Sequence, residues 1–384
     1  MTMNNLSSGA PLDIETKQPS SPSSSSSSSS TPWRNHHITT GRISVLLVLV
    51  VGISCLGLYK SANPFGSFPL SLHFASSSLP ITNKSVSPGK FDTDLERVLK
   101  SASMKDKTVI LTTLNEAWAE PQSIIDIFLE SFRIGNRTHG LLSHLVIISL
   151  DQKAYARCLA LHPFCYMLNT QGLNFSREAY FMTSNYLEMM WTRIDFLATI
   201  LRMGYNFVFT DADVMWLRDP FPHFYRDADF QIACDHYLGN PSDRNNQPNG
   251  GFNYVKSNPR TIKFYEFWYS SRKSYPGLHD QDVLNKIKHD HFIDEIGLQI
   301  RFLDTAYFGG FCEPSKDFNL VCTMHANCCF GLESKVHDLR IVLQDWRRFM
   351  LASSNLSLSS PFYWRAPNKC SLKSFHPPKL PESN

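Results

Sequence analysis

A surplus of either charge is missing from this 384-residue chain: 37 Lys and Arg stand against 34 Asp and Glu, a formal net charge of +3. So mild a balance, with no basic stripe interleaved with aromatics, gives no footing for nucleic acid as a partner. Internal repeats are missing too, which sets aside solenoids and propellers. The nine cysteines never fall into the CxxC…CxxC spacing of a structural zinc site. Charged residues make up only 18% of the chain and hydrophobic ones 42%, so most of it can bury a sizeable core.

What is present divides the chain. Residues 1–42 hold a Ser/Pro tract, with unbroken serine from Ser23 to Ser30, and are expected to be a disordered cytosolic tail. Residues 43–59 carry no charge and are flanked by Arg42 and Lys60. The run has no polar face and is isolated by low-complexity sequence, so it reads as a transmembrane signal anchor. A cleaved signal peptide competes poorly, because the run starts far from Met1 and lacks a small-residue cleavage site. Residues 60–91 read as a stem, 92–370 as the catalytic body and 371–384 as a C-terminal tail.

Four glycosylation triplets lie after the span: Asn83-Lys84-Ser85, Asn136-Arg137-Thr138, Asn174-Phe175-Ser176 and Asn355-Leu356-Ser357. One cysteine, Cys55, falls in the span, and the even eight that remain are expected to be able to pair in an oxidising lumen. The expected topology is therefore type II, membrane-bound through one span, with the body in the secretory lumen.

Within the body, Val109-Ile110-Leu111-Thr112-Thr113-Leu114 reads as a buried strand ending at Asn115. Residues 124–132 carry apolar positions at helical spacing, and Leu145-Val146-Ile147-Ile148-Ser149-Leu150-Asp151 is a second strand. Strand, helix and strand in that order predict a βαβ unit in a parallel sheet. A further apolar helical stripe, from Tyr186 to Leu201 with Gly204 beyond it, feeds the run Tyr205-Asn206-Phe207-Val208-Phe209. Phe230-Gln231-Ile232-Ala233-Cys234-Asp235 reads as another strand.

Asp-x-Asp occurs four times in the chain, but only Asp211 and Asp213 directly follow an unbroken apolar strand. Two carboxylates at i and i+2 there can reach one divalent cation, at the end of an open α/β sheet where ligands bind. Oxygen ligands with open positions suit Mg²⁺ or Mn²⁺ bound to a diphosphate. His325 is a candidate third ligand through its neutral imidazole. Asn249-Gly250-Gly251-Phe252-Asn253 is expected to be a turn, either plain punctuation or a place where backbone approaches a sugar. Arg193 lies between apolar positions and fits either a solvated or salt-bridged residue or a contact to the donor's phosphate or base. Asp280 and Asp282 open a helix, where acidic first-turn residues need no chemistry to explain them. Gln281 between them is harder to account for as a cap.

Taken together, residues 114–115, 207–222, 249–252, 279–285, 301–313 and 322–329, then His337-Asp338-Leu339-Arg340, resemble the plant nucleotide-diphospho-sugar transferase family. That family includes the extensin arabinosyltransferases and rhamnogalacturonan II xylosyltransferases, and the resemblance covers roughly residues 92–350. It implies an α/β, GT-A-type Rossmann-like mixed sheet flanked by helices. It also implies a UDP-sugar donor, Mn²⁺ (or Mg²⁺), a glycan or glycoprotein acceptor of the cell wall, a Golgi membrane location and retention of configuration. Asp211, Asp213 and His325 are then metal ligands. Thr113, Asn115, Arg193, Asp211, Asn249, Gly250, Gly251 and Lys335 line the donor, and Asp280, Gln281 and Asp282 form the catalytic turn. The motif order is also similar to that of bacterial retaining galactosyltransferases, in which the His is a metal ligand and the equivalent Gln sits beside the anomeric carbon.

Asp280 is a candidate nucleophile, though the same carboxylate reads equally as a helix acid. A luminal partner or scaffold with a transferase-like fold is the alternative to an enzyme. A metal-dependent phosphohydrolase would want Asp-x-Asp-x-Thr, and Met215 occupies the Thr position.

Overall fold

The computed structural model describes residues 92–169, 172–178, 182–353 and 362–370. The expected tail, span, stem and C-terminal tail lie outside the described residues, as do the triplets at Asn83 and Asn355. Among the described residues no helix is long and apolar enough to cross a membrane.

The body opens with α1 (Thr93–Ala102), whose N-cap Asp92 accepts from the backbone of Asp94 and Leu95. Next come β1 (Thr108–Leu114), α2 (Glu116–Ala119) and α3 (Ile124–Ile134), then β2 (Leu145–Ser149), α4 (Gln152–Leu161) and β3 (Cys165–Met167). Strands β1, β2 and β3 are parallel neighbours, so the expected βαβ unit is present. β2 stops two residues early because Asp151 turns to cap α4, accepting from Ala154 N–H at 2.9 Å.

Helix α5 (Ser184–Arg202) ends at Gly204, whose φ of +82° is a left-handed conformation that glycine adopts without strain. It leads into β4 (Asn206–Thr210) and β5 (Val214–Trp216), followed by β6 (Phe230–His236) and β7 (Gln247–Val255). Helices α6 (Pro259–Ser271), α7 (Asp280–Ile287) and α8 (His291–Glu295) precede the short strands β8 (Ile300–Phe302), β9 (Phe308–Gly310) and β10 (Thr323–His325). α9 (Leu332–Ser353) is the last helix among the described residues.

The main sheet runs β3-β2-β1-β4-β7-β6-β8, and a second sheet runs β5-β10-β9. β7 is antiparallel to both neighbours, β4 and β6, so the sheet is mixed. An apolar core covers each face, one around Phe128, Phe132 and Trp216 and the other around Phe207, Phe230 and Trp268. Double coverage explains why these strands read as continuous apolar runs without alternation.

Two expectations need correction. Residues 249–253 are not a turn but the middle of β7, with Phe252 opposite Thr210 of β4. Strand pairs on either side of the glycines, Pro248 with Cys234 and Asn253 with both Phe209 and Ile232, hold them in line despite the poor strand propensity of Asn and Gly. The eight cysteines do not all pair. Bonds join Cys158–Cys165, Cys312–Cys328 and Cys329–Cys370, while Cys234 and Cys322 are buried free thiols. Burial pushes the Cys322 thiol up to about 12, which leaves it a small apolar filler without thiolate character.

The segment at 362–370 is held against α9 by two buried carboxylates. Asp338 accepts from the backbone of Asn368, Lys369 and Cys370, and Asp345 binds Arg365. Burial pushes the Asp338 carboxyl up, but the Cys370 amide, His337 and the Lys369 and Asn368 amides hold it below its ordinary 3.8. A depressed folded-state value means the stabilisation is full above that ordinary value and disappears as pH falls through the lower one. The melting temperature is therefore expected to drop on acidification below about pH 4. Asp338→Asn should cost about 1–3 kcal/mol at neutral pH and flatten that acid limb. An unchanged acid limb in the variant would remove Asp338 as a contributor.

Candidate active site

The site lies where β4 and β6 end and β7 passes between them. After β4 the chain turns sharply. Asp211 N–H donates to Gly251 O at 2.7 Å, and β5 then leaves the main sheet to pair with β10. His325 stands opposite Val214 in that antiparallel pair, which brings its ring beside Asp213. One ligand atom each from Asp211, Asp213 and His325 falls within 4.8 Å of the others.

Three observations fit a divalent cation at that point. His325 Nε2 lies 3.1 Å from Asp213 Oδ1, without the alignment of a hydrogen bond. That buried oxygen has no hydrogen-bond donor, although an unsatisfied buried acceptor costs about 1–3 kcal/mol. Gly251 leaves the space between: a Cβ there would stand 2.5 Å from His325 Cε1 and 2.7 Å from Asp211 Oδ2. Two carboxylates and one imidazole are a donor set that Mn²⁺ or Mg²⁺ accepts.

The charges around this point are arranged to keep Asp213 ionised. Burial pushes its carboxyl up, but Lys335 and His325 outweigh that and hold it well below the usual carboxylate range. Lys335 Nζ donates to Asp213 Oδ2 at 2.5 Å. Asp211 goes the other way: burial raises it, with Arg193 opposing and Asp213 adding to the rise.

Arg193, on α5, is buried and lies over the Phe209 ring. Its guanidinium forks between Asp211 Oδ1 at 3.0 Å and Asp280 Oδ2 at 2.5 Å. Of the two roles open to it in sequence, the structure displays the salt-bridged one. Burial pushes the Asp280 carboxyl up, yet Arg193 first and His279 next bring it down to about 2.

The cap of α7 is the His279 side chain, which accepts from Gln281 N–H, so Asp280 is no cap but a buried ion-pair partner. Asp282 is 44% exposed and faces His279 Nε2 at 3.3 Å. Gln281 accepts from Gly250 N–H through Oε1 at 2.9 Å.

The structure thus gathers Asp211, Asp213, His325, Lys335, Arg193, Asp280 and Gln281 around the strand segment Asn249-Gly250-Gly251. Thr113 is the last residue but one of β1, half-buried. Asn115 caps α2 through Oδ1, and its Nδ2 donates to Phe175 O and Arg177 O, so its side chain is engaged with backbone. Two residues were missed. Asp235 follows the apolar run of β6 as Asp211 follows that of β4, so the same signal of an acid after an apolar run was available. Asn327 follows His325 by two residues, with no signal of its own.

Gly251→Ala tests the cation position directly. The added methyl group has to displace His325 or Asp211, and Mn²⁺ affinity measured by calorimetry should fall at least about tenfold. Wild-type affinity in that variant would place the cation elsewhere.

Two carboxylates and an imidazole that could hold a cation thus lie beside a second pole, where a buried arginine pins the Asp280 carboxylate. The chain is a glycosyltransferase. It belongs to the nucleotide-diphospho-sugar transferase family, whose model matches residues 140–339. Over 277 residues it is 52% identical to Uncharacterized protein At4g15970 of Arabidopsis thaliana, covering 72% of this chain and 73% of that one. Uncharacterized protein At1g28695 of the same plant is 38% identical over 285 residues, 72% and 83% of the two chains. Beta-arabinofuranosyltransferase RAY1, also of Arabidopsis thaliana, is 23% identical over 241 residues, 59% and 43%.

Proposed function

We propose that this glycosyltransferase moves arabinose, xylose or galactose from a UDP-sugar to a cell-wall glycoprotein or polysaccharide. Mn²⁺ (or Mg²⁺) sits at Asp211, Asp213 and His325, and the product keeps the donor's anomeric configuration. The observation that carries this reading is the convergence of those three side chains beside the glycines of β7. The similarity to a protein named beta-arabinofuranosyltransferase supports arabinose as the first donor to try.

A bound divalent cation would act as a Lewis acid on the departing diphosphate. Lys335, drawn to Asp213, is placed to share the charge that develops there. Gln281 Oε1 accepts from Gly250 and keeps a second lone pair for the positive charge that grows at the anomeric carbon. Asp280 Oδ2 is bound to Arg193 and Oδ1 faces His279 Nδ1 at 3.3 Å. With Oδ2 held by a buried guanidinium, same-face attack is favoured over a covalent intermediate at Asp280: the leaving phosphate takes the proton from the acceptor hydroxyl as the new bond forms. Thr113 and Asn115, at the end of β1, complete the donor side of this reading.

The proposal also places the protein in the Golgi membrane as a single-pass type II protein, with a span at 43–59 and the body in the lumen. Three disulfides and an exposed Asn174 in its triplet suit that compartment. Protease treatment of sealed microsomes should spare the C-terminus, and endoglycosidase should lower the mass. Cleavage of the C-terminus in sealed vesicles would reverse the topology.

A donor screen tests the activity. The full chain is offered UDP-arabinofuranose, UDP-xylose, UDP-galactose and UDP-glucose with Mn²⁺, and free UDP is measured. One donor should stand out, with a retained anomer by NMR. UDP release from none of them, with a cell-wall acceptor extract present, would leave the non-catalytic partner as the better reading.

A further inference from the structure

Asp235 lies one residue before the end of β6, beside the site, where the register between β6 and β7 slips twice, between Ile232 and Cys234 and between Cys234 and His236. Such irregularities re-aim the side chains at a strand end. The Asp235 carboxylate receives three neutral primary amides. Oδ1 accepts from Asn249 Nδ2 at 2.8 Å and from Asn327 Nδ2 at 2.7 Å, and Oδ2 accepts from Gln281 Nε2 at 2.9 Å.

Each amide belongs to a different limb of the site. Asn249 is in β7, and its own Oδ1 accepts Gly251 N–H at 2.9 Å. Asn327 follows β10 and accepts Cys312 N–H at 3.1 Å. Gln281 is in the first turn of α7 and accepts Gly250 N–H. In all three, the oxygen end meets a backbone N–H and the NH₂ end meets Asp235.

A carboxamide keeps nearly the same shape when rotated by half a turn, but it exchanges acceptor for donor. Gly250 N–H requires an oxygen from Gln281, so the other end of Gln281 must present NH₂ and needs an acceptor. An ionised carboxylate, an acceptor on both oxygens, satisfies three NH₂ groups at once. An amide in its place must turn its own NH₂ toward at least one of them.

We infer that Asp235 is a positioning residue that sets the amide orientation of Gln281, and with it the direction in which Gln281 Oε1 faces the sugar site. Only the kinetic consequence rests on the transfer reading; the orientation itself does not.

Asp235→Asn separates these. Two donors face Oδ1 and one faces Oδ2, so the new amide keeps its oxygen toward Asn249 and Asn327 and turns NH₂ toward Gln281. Gln281 then rotates, and Gly250 N–H loses its acceptor. Hydrogen exchange at Gly250 should quicken at least about tenfold, and kcat should fall at least about tenfold with donor KM within about threefold. Adding Asn327→Asp reverses the logic. The new carboxylate still accepts Cys312 N–H and draws the NH₂ of position 235 to itself, which returns an oxygen to Gln281 and leaves Asn249 one bond short. The double variant should regain Gly250 protection and a kcat within about threefold of wild type. Wild-type exchange and kcat in the single variant would overturn the inference, and so would a double variant no better than the single. The double variant also carries the test if the single one fails to fold. Should the wild type consume no UDP-sugar while Gly250 exchange follows this pattern, the transfer reading falls and the role of Asp235 stands.

Discussion

Asp213→Asn is expected to abolish sugar transfer, lowering kcat/KM by at least about a thousandfold, the several kcal/mol that a Lewis acid supplies. The substitution keeps the shape of the side chain and removes its charge. Asp213 is buried and held ionised by Lys335 and His325, so the charge is what the surroundings are built for. The fold should survive. Lys335 is partly exposed and can turn to water, and losing Asp213 relieves its repulsion of Asp211. Circular dichroism should be unchanged while Mn²⁺ binding disappears. A wild-type rate in Asp213→Asn, or full activity in excess chelator, would sink the metal assignment.

Arg193→Met is expected to destabilise the body by about 3–5 kcal/mol, the usual result of removing one partner from a buried ion pair. Two carboxylates depend on this guanidinium, and Asp280 has only 2% of its side chain exposed. Arg193→Lys should recover little, because one ammonium cannot reproduce the fork between Asp211 and Asp280. Denaturant unfolding measures the effect. If Arg193 served the donor phosphate alone, the methionine variant would raise donor KM and leave the unfolding midpoint near wild type. That result would refute the structural role given to it here.

The parts of the fold that were legible in sequence are those where a single physical signal dominates. β1, β2 and β4 are built on short apolar runs without alternation because both faces of the sheet are covered, and α5 carries a long apolar stripe followed by Gly204. β7 was not legible because its glycines serve the site: Gly251 is small so that Asp211 and His325 can approach, and local composition then reads as a turn. β5, β9 and β10, of three residues each, are too short for periodicity to register. In the site, acids at strand ends announced Asp211 and Asp213. The mutual choices of Asn249, Gln281 and Asn327 around Asp235 concern which end of an amide faces which neighbour, and no linear pattern encodes that. The partner of Arg193 was equally hidden, since Asp280 lies 87 residues away.

Cys328 and Cys329 are neighbours whose bonds diverge, one to Cys312 and the other to Cys370. The dipeptide is thus a junction of two covalent rings, spanning 16 and 41 residues of chain. Helix α9 lies inside the larger ring, and β10, with His325, inside the smaller. The bond to Cys370 therefore ties the C-terminal segment at 362–370 covalently to the stretch of chain that directly follows His325.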